Sequence, residues 1–389
     1  MITVGLVGAG AISRSHIEAY LQFPERCRVI AISDIYPDKA TEKINGYSLD
    51  AQAFDSHVAL LQARHPDLVS VCTPPSKHAE VACDVLRSGA SALVEKPMSA
   101  SLSECDEILA AAEHGGGRLS VVAQNRFSNP MSKLKRLLAS KAAGDILHVQ
   151  VDSHWWRGAS YYDLWWRGTW EQEGGGCTLN HAVHHIDALV WMMGMPGQLQ
   201  ATMTNIAHDN SEVEDLCMVH MRFPNGAAGQ LTASLVHHGE EQQIVFQCRR
   251  ARISMPWHVR ASRSMTNGFP ERDEQTEAEI QGLYESLATL EHEGHAGQVD
   301  DMLSALEQGR PPSVSGVDGR RALELITAIY KSAITGAVVD LPLDPSDRYY
   351  NRGELMASAP RFHEKVRSVE RAADETITLG SGSPVGPPH

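Results

Sequence analysis

Two glycines and an aspartate near the start of the chain have the residue types and the spacing that bind a dinucleotide. Gly8 and Gly10 form a Gly-x-Gly turn directly after an apolar run and before a helical pattern. Gly8 permits the tight turn, and Gly10 lets the backbone approach a pyrophosphate at the helix N-terminus. Asp34 ends the next apolar run, where a carboxylate binds the adenosine ribose and repels a 2′-phosphate. Although Ser13 stands in place of the third glycine of the usual motif, this arrangement predicts NAD binding, with NADP disfavoured.

Side chains suited to proton transfer or metal binding are concentrated between residues 180 and 187. His184 has an imidazole, whose pKa near neutrality suits general base catalysis. His181 and His185 are one helical turn apart and could share a helix face, which raises the question of a metal site. A third ligand of suitable spacing is not evident in the sequence, and hydride transfer to NAD requires no metal. We therefore predict that the site holds none.

The first 125 residues alternate short, continuous apolar runs with helical patterns. This alternation predicts an α/β domain with a doubly wound parallel sheet, covered by helices on both faces. We predict five strands, over residues 2–7, 29–33, 68–72, 92–95 and 119–123, and helices near residues 13–21, 78–87 and 102–114.

The pattern changes after about residue 127. A helix near 130–140, a tryptophan-rich segment at 154–170 and a helix near 182–193 precede β-runs from about 199 to 255, with Asn225-Gly226 as a hairpin turn signal. Residues 276–307 and 318–336 are helical again, which predicts a second domain of α+β type with an antiparallel sheet. We place the nucleotide-binding domain at residues 1–125, the second domain at 126–343 and a polar extension at 344–389. The end of that extension, from Gly380, is rich in Gly, Ser and Pro and is expected to be disordered.

Composition argues against several other classes of protein. The chain of 389 residues has a formal net charge of −14, from 34 basic and 48 acidic residues, and it has no basic block, so we predict no nucleic-acid partner. No stretch approaches the ~20 apolar residues of a membrane-spanning helix, and the apolar start lacks a basic leader, so no membrane partner is predicted. The seven cysteines are scattered, without a Cys-x-x-Cys pair, which predicts reduced thiols in a cytoplasmic protein.

Further motifs follow the predicted strands in a specific order. They are Thr73-Pro74-Pro75-Ser76-Lys77-His78, Glu95-Lys96-Pro97, Gln124-Asn125-Arg126-Phe127, Gly174-Gly175-Gly176, Asn180-His181-Ala182-Val183-His184-His185-Ile186-Asp187, His295-Ala296-Gly297-Gln298 and residues 328–333. In order and spacing, this set resembles the glucose–fructose oxidoreductase/inositol dehydrogenase (Gfo/Idh/MocA) family over about residues 1–343. The extension after residue 344 has no counterpart that we can place.

The resemblance implies a Rossmann domain, a second α+β domain with a large open, mainly antiparallel sheet, and a homo-dimer or homo-tetramer formed through that sheet. It also implies a nicotinamide cofactor, a sugar-like substrate, and a Lys96–Pro97 peptide bond that is often cis in relatives. Carried over by position, the residues expected to bind the cofactor are Gly8, Gly10, Ala11, Ile12, Asp34, Thr73, Pro74, His78, Glu95, Lys96, Trp166 and Arg167.

Hydride transfer at a carbinol carbon requires removal of the hydroxyl proton as the hydride leaves. A lysine partly buried beside a cationic nicotinamide has a lowered pKa, so Lys96 is suited to hold or relay a proton near neutrality. In the family this lysine hydrogen-bonds the reacting hydroxyl, and His184 matches the histidine near the reacting carbon. Asn180 stands where inositol-dehydrogenase-like members often have Asp, and an amide takes up no proton at useful pH. We therefore predict Lys96 and His184 as the catalytic residues.

The substrate is expected to meet aromatic and polar side chains of the second domain. Residues 154–170 hold five of the seven tryptophans, and aromatic faces stack on sugar rings while guanidinium groups bind hydroxyls and carboxylates. Arg126 follows the last predicted strand of the first sheet, at the edge where doubly wound sheets bind ligands. The predicted substrate-binding residues are Arg126, Tyr162, Asn180, His181 and His184.

Three functions are compatible with these patterns. The first is an NAD-dependent dehydrogenase that acts on a CH–OH group of a sugar, cyclitol or sugar derivative. The second is a hydrolase or lyase on the same scaffold that oxidises its substrate transiently and regenerates NAD. The third is a non-catalytic NAD-binding regulator, against which the presence of both Lys96 and His184 argues.

Overall fold

The structure is a computed structural model in which residues 1–370 are described. Within that range, the first half of the fold contains one sheet of six parallel strands flanked by helices. Its elements are β1 (Ile2–Val7), α1 (Ser13–Tyr20), β2 (Cys27–Ser33), α2 (Pro37–Gly46), β3 (Gln52–Phe54), α3 (His57–Arg64), β4 (Leu68–Val71), α4 (Pro75–Arg87), β5 (Ser91–Val94), α5 (Leu102–Gly115) and β6 (Leu119–Val121).

The strand order is β3-β2-β1-β4-β5-β6, which confirms the predicted doubly wound parallel sheet. The strands β1, β4 and β5 are almost wholly buried, as their continuous apolar runs indicated. The prediction of five strands was wrong in one respect, because β3 also joins the sheet, at its edge beside β2. With three residues, β3 is too short to produce an apolar run of its own.

The second half contains a mixed sheet of nine strands within the described residues. A 3₁₀ turn (Gln124–Phe127) leads into α6 (Asn129–Ser140), β7 (Ile146–His154), a 3₁₀ turn (Ala159–Asp163), α7 (Trp170–Glu173), α8 (Cys177–Asn180) and α9 (Val183–Met193). The remaining elements are β8 (Gln198–Thr204), β9 (Leu216–Arg222), β10 (Ala228–Ser234), β11 (Gln242–Cys248), β12 (Ala251–Met255), β13 (His258–Ser264), β14 (Pro270–Arg272), α10 (Glu274–Ser286), α11 (Gly294–Gln308), α12 (Gly316–Thr335), β15 (Val339–Asp340), a 3₁₀ turn (Arg348–Tyr350) and α13 (Arg352–Ser358).

The order of this sheet is β14-β13-β12-β11-β7-β10-β9-β8-β15. Strands β7 and β10 pair in parallel and their other pairings are antiparallel, so the mainly antiparallel second sheet is confirmed. The turn at Asn225-Gly226 joins β9 to β10 as predicted, with Gly226 at φ 86°. None of the helices within residues 1–370 is long and apolar enough to cross a membrane.

The helical stretch predicted at residues 276–307 is two helices, and the second returns to the first sheet. Ala296 and Val299 of α11 belong to the same apolar core as Leu6 of β1. Gln298, which is buried, accepts a hydrogen bond from Ala123 N at 2.9 Å and donates one to Val121 O at 2.7 Å. The chain thus attaches α11 directly behind the strand ends where the predicted site residues lie.

The extension after residue 344 is folded over its described part. Tyr349, Tyr350 and Leu355 are buried, and residues 359–370 run across the tryptophan-rich segment. The disorder expected from residue 380 onward concerns residues that lie outside the described range.

Candidate active site

The glycine turn and Asp34 are joined by a hydrogen bond at the carboxyl ends of β1 and β2. Asp34 Oδ2 accepts from Ala9 N at 2.7 Å, and its Oδ1 accepts from Tyr36 N at 2.9 Å. Gly8 has φ 99°, and a Cβ there would lie 2.6 Å from the carbonyl oxygen of Cys72, so no other residue fits without a backbone shift. The sequence prediction for this turn thus has a steric basis.

The space above this turn suits a dinucleotide. A Cβ built on Gly10 meets nothing within 4 Å, and no described side chain caps the N-terminus of α1. Ile35 and Tyr36, directly after Asp34, are 80% and 56% exposed, and they form an apolar surface beside the Asp34 carboxylate.

The loops after β4 and β5 are braced by His78. Its Nδ1 lies 2.8 Å from Pro97 O and its Nε2 lies 2.7 Å from Thr73 O. Burial lowers the pKa of His78, against the opposing effect of these hydrogen bonds. The structure therefore places both ring nitrogens of His78, expected to contact the cofactor, beside backbone carbonyls, and its neutral imidazole donates to one of them. Thr73 and Pro74 lie on the open side of this brace, and the buried Thr73 Oγ1 has no partner among the described residues.

Lys96 follows β5 and precedes a proline in a cis peptide bond, as the resemblance implied. Its Nζ lies 3.5 Å from the carbonyl oxygen of Asn180. Burial lowers the pKa of Lys96, Glu95 opposes this shift, and Arg167 adds to it. Lys96 also lines a cavity together with His184 and Asn125, so the two predicted catalytic residues face one space.

Glu95 is buried behind Lys96 and is held by two histidines from distant parts of the chain. His16 Nε2 lies 3.0 Å from Glu95 Oε1 and its Nδ1 lies 3.0 Å from Ser70 Oγ, while His295 Nε2 lies 3.7 Å from Glu95 Oε1. Burial alone would raise the pKa of Glu95, but the hydrogen bond of His16, the neighbouring His295 and the charge of Lys96 outweigh it and hold this pKa well below its usual range. The carboxylate is therefore ionised beside the lysine.

The ligand atoms of His16, Glu95 and His295 all lie within 4.8 Å of one another. Such a set could hold a metal ion. Within the described residues His16 bonds on both sides and Glu95 Oε2 accepts from Lys96 N, whereas the buried His295 Nε2 has no hydrogen-bond partner. Sequence reasoning did not place His16 and His295 at the site, because both lie on helices far from Glu95 in sequence.

The segment from Asn180 to His185 presents its side chains in different directions. Asn180 Nδ2 donates to Gly175 O at 2.7 Å, so this side chain supports the glycine turn. Burial, Lys96 and His185 hold the pKa of His184 well below its usual value, with Glu95 opposing, and His184 is neutral at pH 7. Burial lowers the pKa of His185 to about 4. A neutral His184 beside Lys96 fits the role of proton acceptor.

Tyr161, which was not predicted, lies next to the site, and Tyr162 does not. Tyr161 Oη lies 3.3 Å from His181 Nε2, whereas Tyr162 is 1% exposed and packs edge-on against His208. Two adjacent tyrosines in an irregular loop have no periodicity that separates them, so the sequence could not choose between them. The buried position of Tyr162 does not fit the substrate contact predicted for it, and Tyr161 is the tyrosine of this loop that lies beside His181.

Arg167 is fixed between two aromatic rings. Its guanidinium lies 4.1 Å from the ring centres of Trp166 and Tyr161, and its Nη1 pairs with Glu173 Oε1 at 3.0 Å. Burial is the largest cause of the lowered pKa of His181. The positive charges of Arg157, Arg167 and Lys96 lower this pKa further. Arg167 therefore contributes positive charge close to Lys96 and His181, in keeping with its predicted place in the site.

Arg126, predicted to contact substrate, forms a buried ion pair. Its Nε and Nη2 donate to Asp187 at 2.8 and 2.7 Å, and its Nη1 donates to Asp318 at 3.2 Å. The guanidinium also lies 5.5 Å from the ring centre of Trp191. The structure therefore gives Arg126 a packing role between α9 and α12 in place of a free surface for a ligand.

Family comparisons agree with this geometry. Residues 2–123 match the family described as "Oxidoreductase family, NAD-binding Rossmann fold" (GFO_IDH_MocA), and residues 131–254 match "GFO/IDH/MocA C-terminal domain". The chain belongs to the Gfo/Idh/MocA family. Its Rossmann domain is therefore an NAD-binding domain, and the glycine turn with Asp34 is the part of it that fits this cofactor.

Several relatives of this Gfo/Idh/MocA protein have names that describe their reactions. Myo-inositol 2-dehydrogenase of Thermotoga maritima is 24% identical over 85% of this chain and 95% of its own. 2,7-Anhydro-N-acetylneuraminate hydratase of Mediterraneibacter gnavus is 24% identical over 66% of this chain and 68% of its own. The WlbA dehydrogenase of Bordetella pertussis, solved with NADH and UDP-GlcNAcA, is 27% identical, with a TM-score of 0.76 over 88% of this chain and 98% of that one.

Proposed function

We propose that this protein is an NAD-dependent dehydrogenase that acts on a CH–OH group of a sugar, cyclitol or sugar derivative. The observation that carries the proposal is that Lys96 and His184 border one small cavity and that the charge of Lys96 acts on the His184 imidazole. The solved WlbA relative binds NADH and a nucleotide-linked sugar acid, and the inositol dehydrogenase acts on a cyclitol, which supports a polyhydroxylated substrate.

NAD is held by the residues at the strand ends and, when bound, accepts or supplies the hydride. Gly8, Gly10, Ala11 and Ile12 form the turn for the pyrophosphate, while Asp34 accepts from the ribose hydroxyls through lone pairs not used by Ala9 and Tyr36. The remaining cofactor contacts are proposed at Thr73, Pro74, Glu95, Lys96, Trp166 and Arg167.

The proton is handled by Lys96 and His184. Lys96 Nζ, in its ammonium form stabilised by the ionised Glu95 behind it, hydrogen-bonds the reacting hydroxyl. His184 is neutral at pH 7 and is therefore ready to accept the proton of the hydroxyl. His181 and Tyr161, whose polar atoms lie 3.3 Å apart, bind the substrate, and Asn180 positions the lysine through its carbonyl oxygen.

Incubation of the purified protein with NAD and a panel of sugars, inositols, sugar acids and nucleotide sugars tests this proposal. An absorbance increase at the wavelength of reduced nicotinamide with one class of compound is the expected result. A Lys96→Ala protein that gave the same rate would contradict the proposed role of Lys96. If NAD is bound but no compound of the complete panel produces reduced nicotinamide, the dehydrogenase function is rejected.

A redox-neutral reaction is the second candidate, because a relative with the same fold is named a hydratase. In that case the hydride returns to the substrate-derived intermediate after bond cleavage or addition, with no net change of NAD. Product formation at catalytic amounts of NAD, without accumulation of NADH, distinguishes it from the dehydrogenase. Product formation only in step with NADH excludes it.

We also propose that the protein is a cytoplasmic homo-dimer or homo-tetramer. In β9, Cys217, Val219 and Met221 are buried, whereas Met218 and His220 on the opposite face are exposed. A second copy that covers this open face would bury Met218, which is 46% exposed in one chain. Size-exclusion chromatography with light scattering gives the mass directly, and a monomeric mass contradicts the proposal.

A further inference from the structure

A C-terminal strap, residues 359–370, lies across an aromatic loop, residues 154–170, that carries Tyr161 and Arg167. Val369 N donates to Asp163 O at 2.7 Å, and Trp165 N donates to Val369 O at 3.0 Å. Val369 and Leu164 thereby form a parallel bridge between two segments about 200 residues apart in sequence. The strap thus fixes the backbone of the loop immediately between its two site residues.

The side chain of Asn210 forms hydrogen bonds with both the strap and the aromatic loop. Its Oδ1 accepts from Val366 N at 2.8 Å and from Arg367 N at 2.9 Å, while its Nδ2 lies 3.0 Å from Tyr162 O. Asn210 is 1% exposed, so its amide is committed to holding strap and loop together. Lys365 Nζ donates to the same carbonyl oxygen, Tyr162 O.

The strap is also held at its beginning and by charge. Trp170 Nε1 donates to Pro360 O at 2.9 Å, and Phe362 N donates to Glu212 O at 3.1 Å. Arg367 pairs with Asp163 at 3.2 Å and with Asp209 at 2.9 Å. Contacts therefore exist at both ends of the strap and with the centre and end of the loop.

Beyond the bridge between Trp156 and Val236, the loop is in no strand or α-helix until α7 begins at Trp170. Tyr161 lies two residues before Asp163, and Arg167 lies two residues after Trp165, so these strap contacts lie between the two residues that are close to His181 and Lys96. A binding group on an irregular loop needs such a support, because a loop that fluctuates between conformers leaves its side chains misplaced.

We propose that the C-terminal strap is a positioning element of the active site, which holds the aromatic loop so that Tyr161 and Arg167 are in place for the substrate. This inference rests on the proposed function, since the substrate is the ligand that the loop would meet. Residues 359–370 do not touch the reacting atoms and act through the loop.

Val369→Pro is the sharpest test, with Val369→Ala as its matched control. Proline lacks the N–H that bonds Asp163 O, whereas alanine keeps it, and Val369 is 45% exposed, so neither change empties a core position. We expect Val369→Pro to raise KM for the substrate about tenfold, with a smaller change in kcat and in Tm, because misplaced binding groups weaken a complex. The KM of Val369→Ala should match that of the wild type. An equal KM in the two variants would contradict the positioning role of the strap.

Hydrogen exchange of the backbone at residues 161–167 separates this inference from the proposed function. Faster exchange in Val369→Pro than in Val369→Ala supports the positioning role of the strap, even if the wild type oxidises no compound of the panel. Equal exchange in the two variants overturns it, whatever the activity. Lys365→Met, with Lys365→Arg to restore a donor, repeats the comparison at a second contact, where only the methionine should speed exchange.

Discussion

The ammonium of Lys96 lies 3.5 Å from the carbonyl oxygen of Asn180, which joins the loop after β5 to the segment that carries His184. The carbonyl accepts from the lysine on one side, and the amide of the same Asn180 donates to Gly175 O on the other. The residue that replaces a common aspartate in this family therefore positions the lysine through its backbone and takes no proton. In the proposed reaction the proton is therefore handled by Lys96 and His184.

Replacement of Lys96 by alanine should lower kcat by about 10²–10⁴-fold, the usual contribution of a positioned proton-transfer group. NAD affinity, measured by the quenching of protein fluorescence, should change little, because Lys96 is one of many proposed cofactor contacts and the nucleotide turn is formed by other residues. Lys77→Ala is the control, since Lys77 is an exposed lysine paired with Glu80. A collapse of NAD binding in Lys96→Ala, with Lys77→Ala unaffected, would show that the lysine serves the cofactor instead.

Replacement of Asp34 by alanine should reduce the preference for NAD over NADP by at least about tenfold, because the carboxylate that repels a 2′-phosphate is lost. The ratio of the two dissociation constants is the measurement. Asp38→Ala is the matched control, as Asp38 lies in the first turn of α2, just beyond the strand end. An unchanged ratio in Asp34→Ala would remove Asp34 from the ribose site.

The pH dependence of kcat/KM should reflect a His184 side chain that is neutral at pH 7. Because its pKa lies well below 6.5, the base form is already present at pH 7, and kcat/KM for oxidation should fall only at more acidic pH. The lowered pKa of Lys96 should place the alkaline limb below pH 10.5. In His184→Gln the acid limb should disappear, and an acid limb centred above pH 6.5 that persists in this variant would contradict the assignment.

His185 should make the fold less stable in mild acid. Its pKa of about 4 in the folded protein is below the ordinary value of 6.5, so the unfolded state takes up the proton first and stability falls as pH decreases from 6.5 towards 4. The free energy of unfolding should fall by up to about 3 kcal/mol from this residue over that window. Urea unfolding at pH 7.5 and 4.5 should show a smaller difference for His185→Gln than for the wild type. An equal difference would contradict the prediction.

Arg126→Met should destabilise the fold by about 3–5 kcal/mol, because it leaves Asp187 buried without its partner. Asp187→Leu in the same chain should restore much of that stability, since the uncompensated charge is then removed. The measurement is urea unfolding together with KM. A variant that kept its stability and lost substrate affinity would instead support the substrate contact that the sequence suggested for Arg126.

Local sequence was sufficient for the nucleotide turn and for most of the first sheet. Gly8 has a positive φ and lies close to the end of a neighbouring strand, which requires a glycine at this position. Continuous apolar runs indicate buried parallel strands. Both features can therefore be predicted from residues that are adjacent in sequence. The order of the motifs was equally local and predicted the family, the NAD-binding domain and the juxtaposition of Lys96 with His184.

Tertiary structure alone decided which groups surround those residues. His16 and His295 reach Glu95 from helices 79 residues before and 200 residues after it, and Asn210 binds a strap that begins about 150 residues later. The choice of Tyr161 over Tyr162, and the commitment of Arg126 to Asp187, also followed from packing. Such contacts carry no periodic signal, because they depend on where separate elements meet and which of their polar atoms are left to be satisfied there.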